Sequence, residues 1–113
     1  MDHNLIVTTL EIPGTRIAKT LGLVRGIVVR SRSVVGNLGA ALQSIIGGDI
    51  SIYTTLCEQT RSDAYDRMVK HAEEVGANAI VCVRYDTTEI GPGMTEVLCY
   101  GTAVQVVPGG RES

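Results

Sequence analysis

The sequence predicts an α+β fold, with a mainly antiparallel sheet packed against one long helix and one short helix. Three observations carry this reading. Valine and isoleucine together supply 24 of 113 residues, while phenylalanine and tryptophan are absent. Such β-branched side chains are stiff at χ1 and suit a pleated surface, so at least half of the fold should be sheet. Residues 50–75 keep a helical period without a break, and residues 79–107 form two apolar runs around Gly91-Pro92-Gly93, the pattern of a hairpin.

Taken in chain order, residues 5–10 read as a first strand, ended by the turn Ile12-Pro13-Gly14. Residues 15–20 suit a short second strand, and residues 22–31 the next extended run, with Gly26 as a candidate bulge. Arg25, Arg30 and Arg32 lie along it, as a basic strip or a solvated edge. Ser33 or Asn37 can cap a short helix reaching Ile46, which Gly47-Gly48 stops. Asp49 or Ser51 then caps the long helix, and Gly76 ends it. At 100° per residue, Tyr53, Leu56, Cys57, Thr60, Ala64, Met68, His71 and Val75 fall in one stripe of about 120°. Asp63/Arg67 and Asp66/Lys70 are spaced as i,i+4 ion pairs on its polar side. Gly101, inside the return strand, calls for a bulge or a close backbone approach.

Length and charge bound the function. One domain spans residues 1–113, with 108–113 as a frayed tail. A net charge of −2 and four aromatics, all tyrosine, give little to attract phosphates or stack on bases, so nucleic acid is not an expected partner. Residues 1–48 carry five basic and two acidic groups, and residues 49–113 carry five basic and ten acidic. The basic half of one copy can meet the acidic half of another, or the asymmetry is that of a solvated surface. The N-terminus has no basic, apolar signal segment, and no run reaches the roughly 18–20 apolar residues that span a bilayer. Three cysteines without a CxxC pair fit reduced thiols, so a cytoplasmic protein without membrane partners is expected.

The long helix also predicts assembly. Residues 50–75 extend roughly 39 Å, whereas a strand of ordinary length covers about 20 Å. A helix that outruns its sheet needs another surface for its apolar stripe, and a second copy is the simplest one.

Gly47-Gly48-Asp49-Ile50, Tyr53-Thr54, Arg61, Arg67-Met68, Ala72, the run Gly76 to Val81, Val83-Arg84-Tyr85-Asp86 and Tyr100-Gly101-Thr102-Ala103-Val104 resemble the YbjQ-like family of small prokaryotic proteins, with Asp49 where that family usually has Glu. The upstream Ile12-Pro13-Gly14 and Gly22-Leu23-Val24-Arg25-Gly26 are similar too, so the resemblance spans almost the whole chain. It implies an α+β subunit that forms a ring-like homopentamer and carries a heavy-metal-binding label.

The residues themselves offer little for a metal. A soft ion needs thiolates or imidazoles within ligand distances of about 2.0–2.3 Å. Cys57 and His71 share a helix face but are separated by about 21 Å along the axis. Cys82 and Cys99 sit on adjacent strands, yet a turn at residues 91–94 sets Cys82 opposite Ala103, two rungs out of register. Each of these four is either a weak metal candidate or an ordinary packed side chain. His3 lies in a terminus expected to be mobile. Tyr53 and Arg61 match family positions; they line a polar interface pocket, or they pack on the sheet and pair with Glu58 or Asp49. No nucleophile–base pair, Walker A or GxGxxG motif is present, so a non-enzymatic binding protein is expected, with a metal or small ligand between subunits. The alternatives are a ring that engages a protein partner and an enzyme with an interface site.

Overall fold

A computed structural model describes residues 1–31 and 51–109, with side chains from Thr54 onward in the second span. A 3-10 turn at His3–Leu5 precedes strand β1 (Thr15–Ser31), helix α1 (Ser51–Glu74), strand β2 (Ala79–Gly91) and strand β3 (Met94–Pro108). The three strands form one antiparallel sheet in the order β1-β3-β2. The short helix expected up to Ile46, the Gly47-Gly48 stop and Asp49 lie outside the described residues.

Two strands expected at 15–20 and 22–31 are a single strand of 17 residues. Its register against β3 slips between Ile17 and Lys19 and again between Thr20 and Gly22, where Gly22 takes φ +101°. The slips absorb the irregularity that looks like a chain break in the sequence. As a result the comparison of lengths reverses. Strand β1 covers about 56 Å and α1 about 36 Å, so the sheet outruns the helix. Residues 5–10 do not form a regular strand. They run beside β2 with one parallel bridge, Ile6 to Ile80, and Val7 donates to the Ile80 carbonyl at 2.9 Å.

The helix end follows its sequence signal. Gly76 takes φ +88°, its amide donates to the Glu73 carbonyl at 3.0 Å, and the Ala77 amide reaches back to Ala72 at 3.0 Å. This is the Schellman pair of bonds, and the positive φ explains the glycine. Asn78 then locks the helix to β3: its side chain donates to the Val106 carbonyl at 2.9 Å and accepts from the Val106 amide at 2.8 Å.

Two cores lie on opposite faces of the sheet. Under α1, Ala64, Met68 and Ala72 pack on Val24, Val28, Ile80, Val83, Val97 and Cys99. On the other face, Leu5, Val7 and Ile12 cover Ala79, Val81, Val104 and Val106. Gly26 is no bulge: it pairs with Cys99, and a Cβ there would meet the Ala64 carbonyl and lie 2.5 Å from the Met68 amide nitrogen. The helix backbone rests directly on the strand. Gly101 answers both of its expected reasons, since it faces an irregularity in β2 and a Cβ would come within 2.8 Å of Ile80.

Replacing Gly26 by alanine pushes backbone against backbone, which no rotamer change relieves. Gly26→Ala is expected to lose at least about 3 kcal/mol of unfolding free energy in urea; a loss below about 1 kcal/mol would contradict the close approach.

Candidate functional site

The structure disperses the candidate metal ligands. Asp63 lies beside Arg30 near the end of β1, with an Arg30 Nη2 to Asp63 Oδ2 distance of 2.7 Å. Cys57, six residues toward the helix start, therefore sits about 9 Å beyond that point and is exposed despite belonging to the apolar stripe. His71 is half-buried at the outer edge of β1, where its Nδ1 accepts from the Arg25 amide at 3.2 Å. Cys99 is fully buried under α1, its thiol 3.6 Å from the Met68 sulfur. Cys82 packs in the opposite core. The sheet thus separates the two strand cysteines by face, whereas the expected register set them two rungs apart on one face.

The cause is a bulge. The β2–β3 register jumps from Val81/Thr102 to Arg84/Tyr100, leaving Cys82 and Val83 against Gly101. Ala103 is paired with Ile80 instead of Cys82. Cys82 takes φ +57°, and it and Val83 both donate outward, to the Thr9 and Val7 carbonyls at 3.0 Å each. Consecutive amides of a regular strand point in opposite directions, so the bulge inverts the facing of everything beyond it. Before it, Ile80 faces the helix; after it, Val83 and Tyr85 do.

Sequence reading misses what this inversion assembles. Tyr85 is the cross-strand partner of Cys99, with Tyr65 and Arg61 of α1 near enough to act on its phenol. Burial, then the Cys99 charge and hydrogen bond, push the Tyr85 phenol up to about 12, against a smaller lowering by Arg61. Burial likewise raises Tyr65 and Cys99. The expected mobile His3 is held: its Nδ1 is 2.7 Å from the Tyr65 hydroxyl, the rings stack at 5.5 Å, and the Met1 amine pairs with Glu73 at 2.9 Å. Arg61 is exposed and forms no ion pair with Glu58, while the Tyr53 side chain and Asp49 fall outside the described residues.

The Asp63/Arg67 ion pair expected from spacing is displaced by other partners, and Asp66 and Lys70 form no ion pair with each other. Asp63 takes Arg30 and Gln59, and Arg67 donates to the Ile27 carbonyl. Glu58, Asp66, Glu73 and Glu74 remain on the exposed side of α1.

The most open surface lies across the sheet from α1. Cross-strand partners place Arg25, Tyr100 and Arg84 in one row, Ile27, Leu98 and Asp86 in the next, and Val29, Glu96 and Thr88 beyond. Leu23 is 63%, Val29 43% and Ile27 36% exposed there, because neither α1 nor residues 5–12 cover this half of the sheet. A cleft of about 1250 Å³ adjoins it, lined by residues 8–17, Arg84 and Gly109. Arg84 is already committed at its mouth, donating to the Thr8 and Val83 carbonyls.

The Tyr85 contact has a pH signature. Burial holds its phenol above the ordinary tyrosine value of 10.0 when folded, so between pH 10 and 12 the folded state keeps a proton that the unfolded chain has lost. Stability is expected to be unaffected by this group below pH 10 and to fall as pH rises from 10 toward 12. Denaturation across that window should be less steeply pH-dependent in Tyr85→Phe; an identical slope would sink the assignment.

Comparison with known proteins follows this geometry. A family model described as "Putative heavy-metal-binding" matches residues 4–107. A UPF0145 protein of Burkholderia thailandensis is 60% identical over 109 residues, covering 96% of this chain and 98% of that one. UPF0145 proteins of Burkholderia mallei and Burkholderia pseudomallei are 61% identical over the same length. Among solved structures, a protein of unknown function from Pediococcus pentosaceus, assigned to the DUF74 family, shares the fold with a TM-score of 0.57 at 19% identity, covering 90% of this chain and 96% of that one. No helix among the described residues is long and apolar enough to cross a membrane. With a model match over nearly its whole length and relatives at 60% identity, the chain belongs to the YbjQ-like family.

Proposed function

We propose that this chain is a non-enzymatic binding protein that works as a homo-oligomer and holds its ligand, a heavy metal or a small molecule, between copies. The observation that carries this reading is the uncovered sheet face around Leu23, Ile27 and Val29. A layer of sheet is stable when both faces are covered, and here one half of one face has no cover among the described residues.

All cysteines, histidines and methionines of the chain lie among the described residues, since residues 32–50 and 110–113 contain none. Among the described residues no three of His, Cys, Asp and Glu gather, which favours a site that draws its ligands from more than one copy. Symmetry supplies a route, because copies of one exposed residue converge around an axis, and Cys57 is the exposed thiol.

Charge supports a head-to-tail arrangement. The uncovered face carries Arg25 and Arg84, and the outer side of α1 carries Glu58, Asp66, Glu73 and Glu74. A contact between two different faces of successive copies closes a ring when its rotation closes. The family resemblance points to five copies, and three cysteines without a CxxC pair point to the cytoplasm.

Light scattering behind size exclusion should give five times 12.0 kDa, and a monomer would overturn the reading. Ile27→Asp is expected to break the wild-type assembly into folded monomers. If the ligand is a soft metal, Zn²⁺, Cu⁺ or Cd²⁺ should raise the melting temperature of the wild-type oligomer, with the gain lost in Cys57→Ser. Equal stabilisation of the Ile27→Asp monomer would place the site within one copy.

A further inference from the structure

His71 has a contact that the proposed assembly does not use. Its Nδ1 lies 3.2 Å from the Arg25 backbone nitrogen. A backbone amide can only donate, so Nδ1 must accept; the ring is then neutral, with its proton on Nε2. One turn earlier, Arg67 Nη1 donates to the Ile27 carbonyl at 2.5 Å, and another turn earlier Asp63 holds Arg30 at 2.7 Å. Arg25 and Ile27 are two residues apart, so their outward backbone groups lie on the same edge of β1, away from β3. Residues 63, 67 and 71 form a ladder along this edge, in which His71 and Arg67 occupy the Arg25 amide and the Ile27 carbonyl and Asp63 holds the Arg30 side chain.

The rungs differ in how they respond to acid. Arginine stays charged at all accessible pH. Histidine alone among them changes charge between about pH 5 and 8. A second ring proton turns Nδ1 into a donor facing another donor, so the contact with the Arg25 amide becomes repulsive. Around His71, α1 carries Arg67 one turn earlier, already donating to the Ile27 carbonyl, and Glu73, engaged by the Met1 amine. Lys70 and Glu74 are exposed on the same helix, and the Arg25 side chain lies on the opposite face of the sheet. Strand β3 presents only Cys99 and Gly101 at this level of the helix side.

We propose that His71 is a pH-operated latch on the outer edge of β1. Neutral His71 holds the edge closed, and protonated His71 releases the Arg25 amide and opens it. An open edge presents unpaired N–H and C=O groups that can template another strand, so acidification changes which surfaces of the chain are available.

The test is amide hydrogen exchange of the full chain by NMR between pH 7.5 and 5.5, with each rate divided by its intrinsic rate. The His71 ring is followed in the same samples. Protection at Arg25 is expected to fall about tenfold as the His71 ring titrates. The chain has only two histidines, so His3→Gln should leave the fall intact. His71→Gln, which carries an acceptor at every pH, should abolish it. Constant Arg25 protection through the wild-type His71 titration would overturn the latch, whether or not either variant folds. So would a fall that persists in His71→Gln or disappears in His3→Gln.

Discussion

The contact between the α1 backbone and Gly26 is the constraint from which the other arrangements follow. With no Cβ between them, the Ala64–Met68 turn settles on β1 itself. Placed there, the helix is near enough to the sheet edge for Asp63, Arg67 and His71 to reach over it. The same displacement draws α1 away from β2, so Tyr65 packs at the margin of the helix-side core and Tyr85, 45% exposed, lies beyond it. A single helix set to one side covers one face incompletely and the other not at all. The N-terminal segment covers part of that second face, through Leu5, Val7 and Ile12.

Much of this frame was legible in the residues. The helical stripe through Thr60, Ala64 and Met68, the stop at Gly76 and the hairpin at Pro92-Gly93 are local signals, and local signals survive tertiary folding here. Features that depend on a partner segment were not legible. A period of two cannot register an inserted residue, so the slips near Ala18 and Leu21 split one strand into two, and the bulge at Cys82 hid the side to which Tyr85 turns. Gly26 was read as a bulge because a missing side chain serves a bulge and a close approach equally. The Asp63/Arg67 spacing was correct, yet each side chain found a better partner on β1. For the site, the separation of Cys57 from His71 followed from helix geometry alone, while the packed reading open to every cysteine holds for Cys99 and not for the exposed Cys57. The tyrosine and histidine cluster joins residues 3, 65, 85 and 99, distances that only the assembled fold can bring together.

The soft ligands are distributed as packing elements. Cys99 and Met68 share a dry core, Cys82 lines another, and His71 closes a strand edge. Each has a structural occupation that a metal would have to displace, at the cost of burial or of a hydrogen bond. Cys57 stands apart, exposed on a part of α1 that projects beyond Arg30.

The bulge at Cys82 has a further consequence. It lets a single strand act as a swivel: its first half turns alternate side chains into both cores, and its second half presents Tyr85 inward and Arg84 outward. The chain thereby supplies both sides of its sheet from one continuous segment, without a crossover. Removing one residue there would exchange the two faces of the whole distal arm, putting the Asp86 row under the helix and the Tyr85 row in solvent. The side of the sheet that a neighbouring molecule meets is thus written in the count of residues, before it is written in their identity.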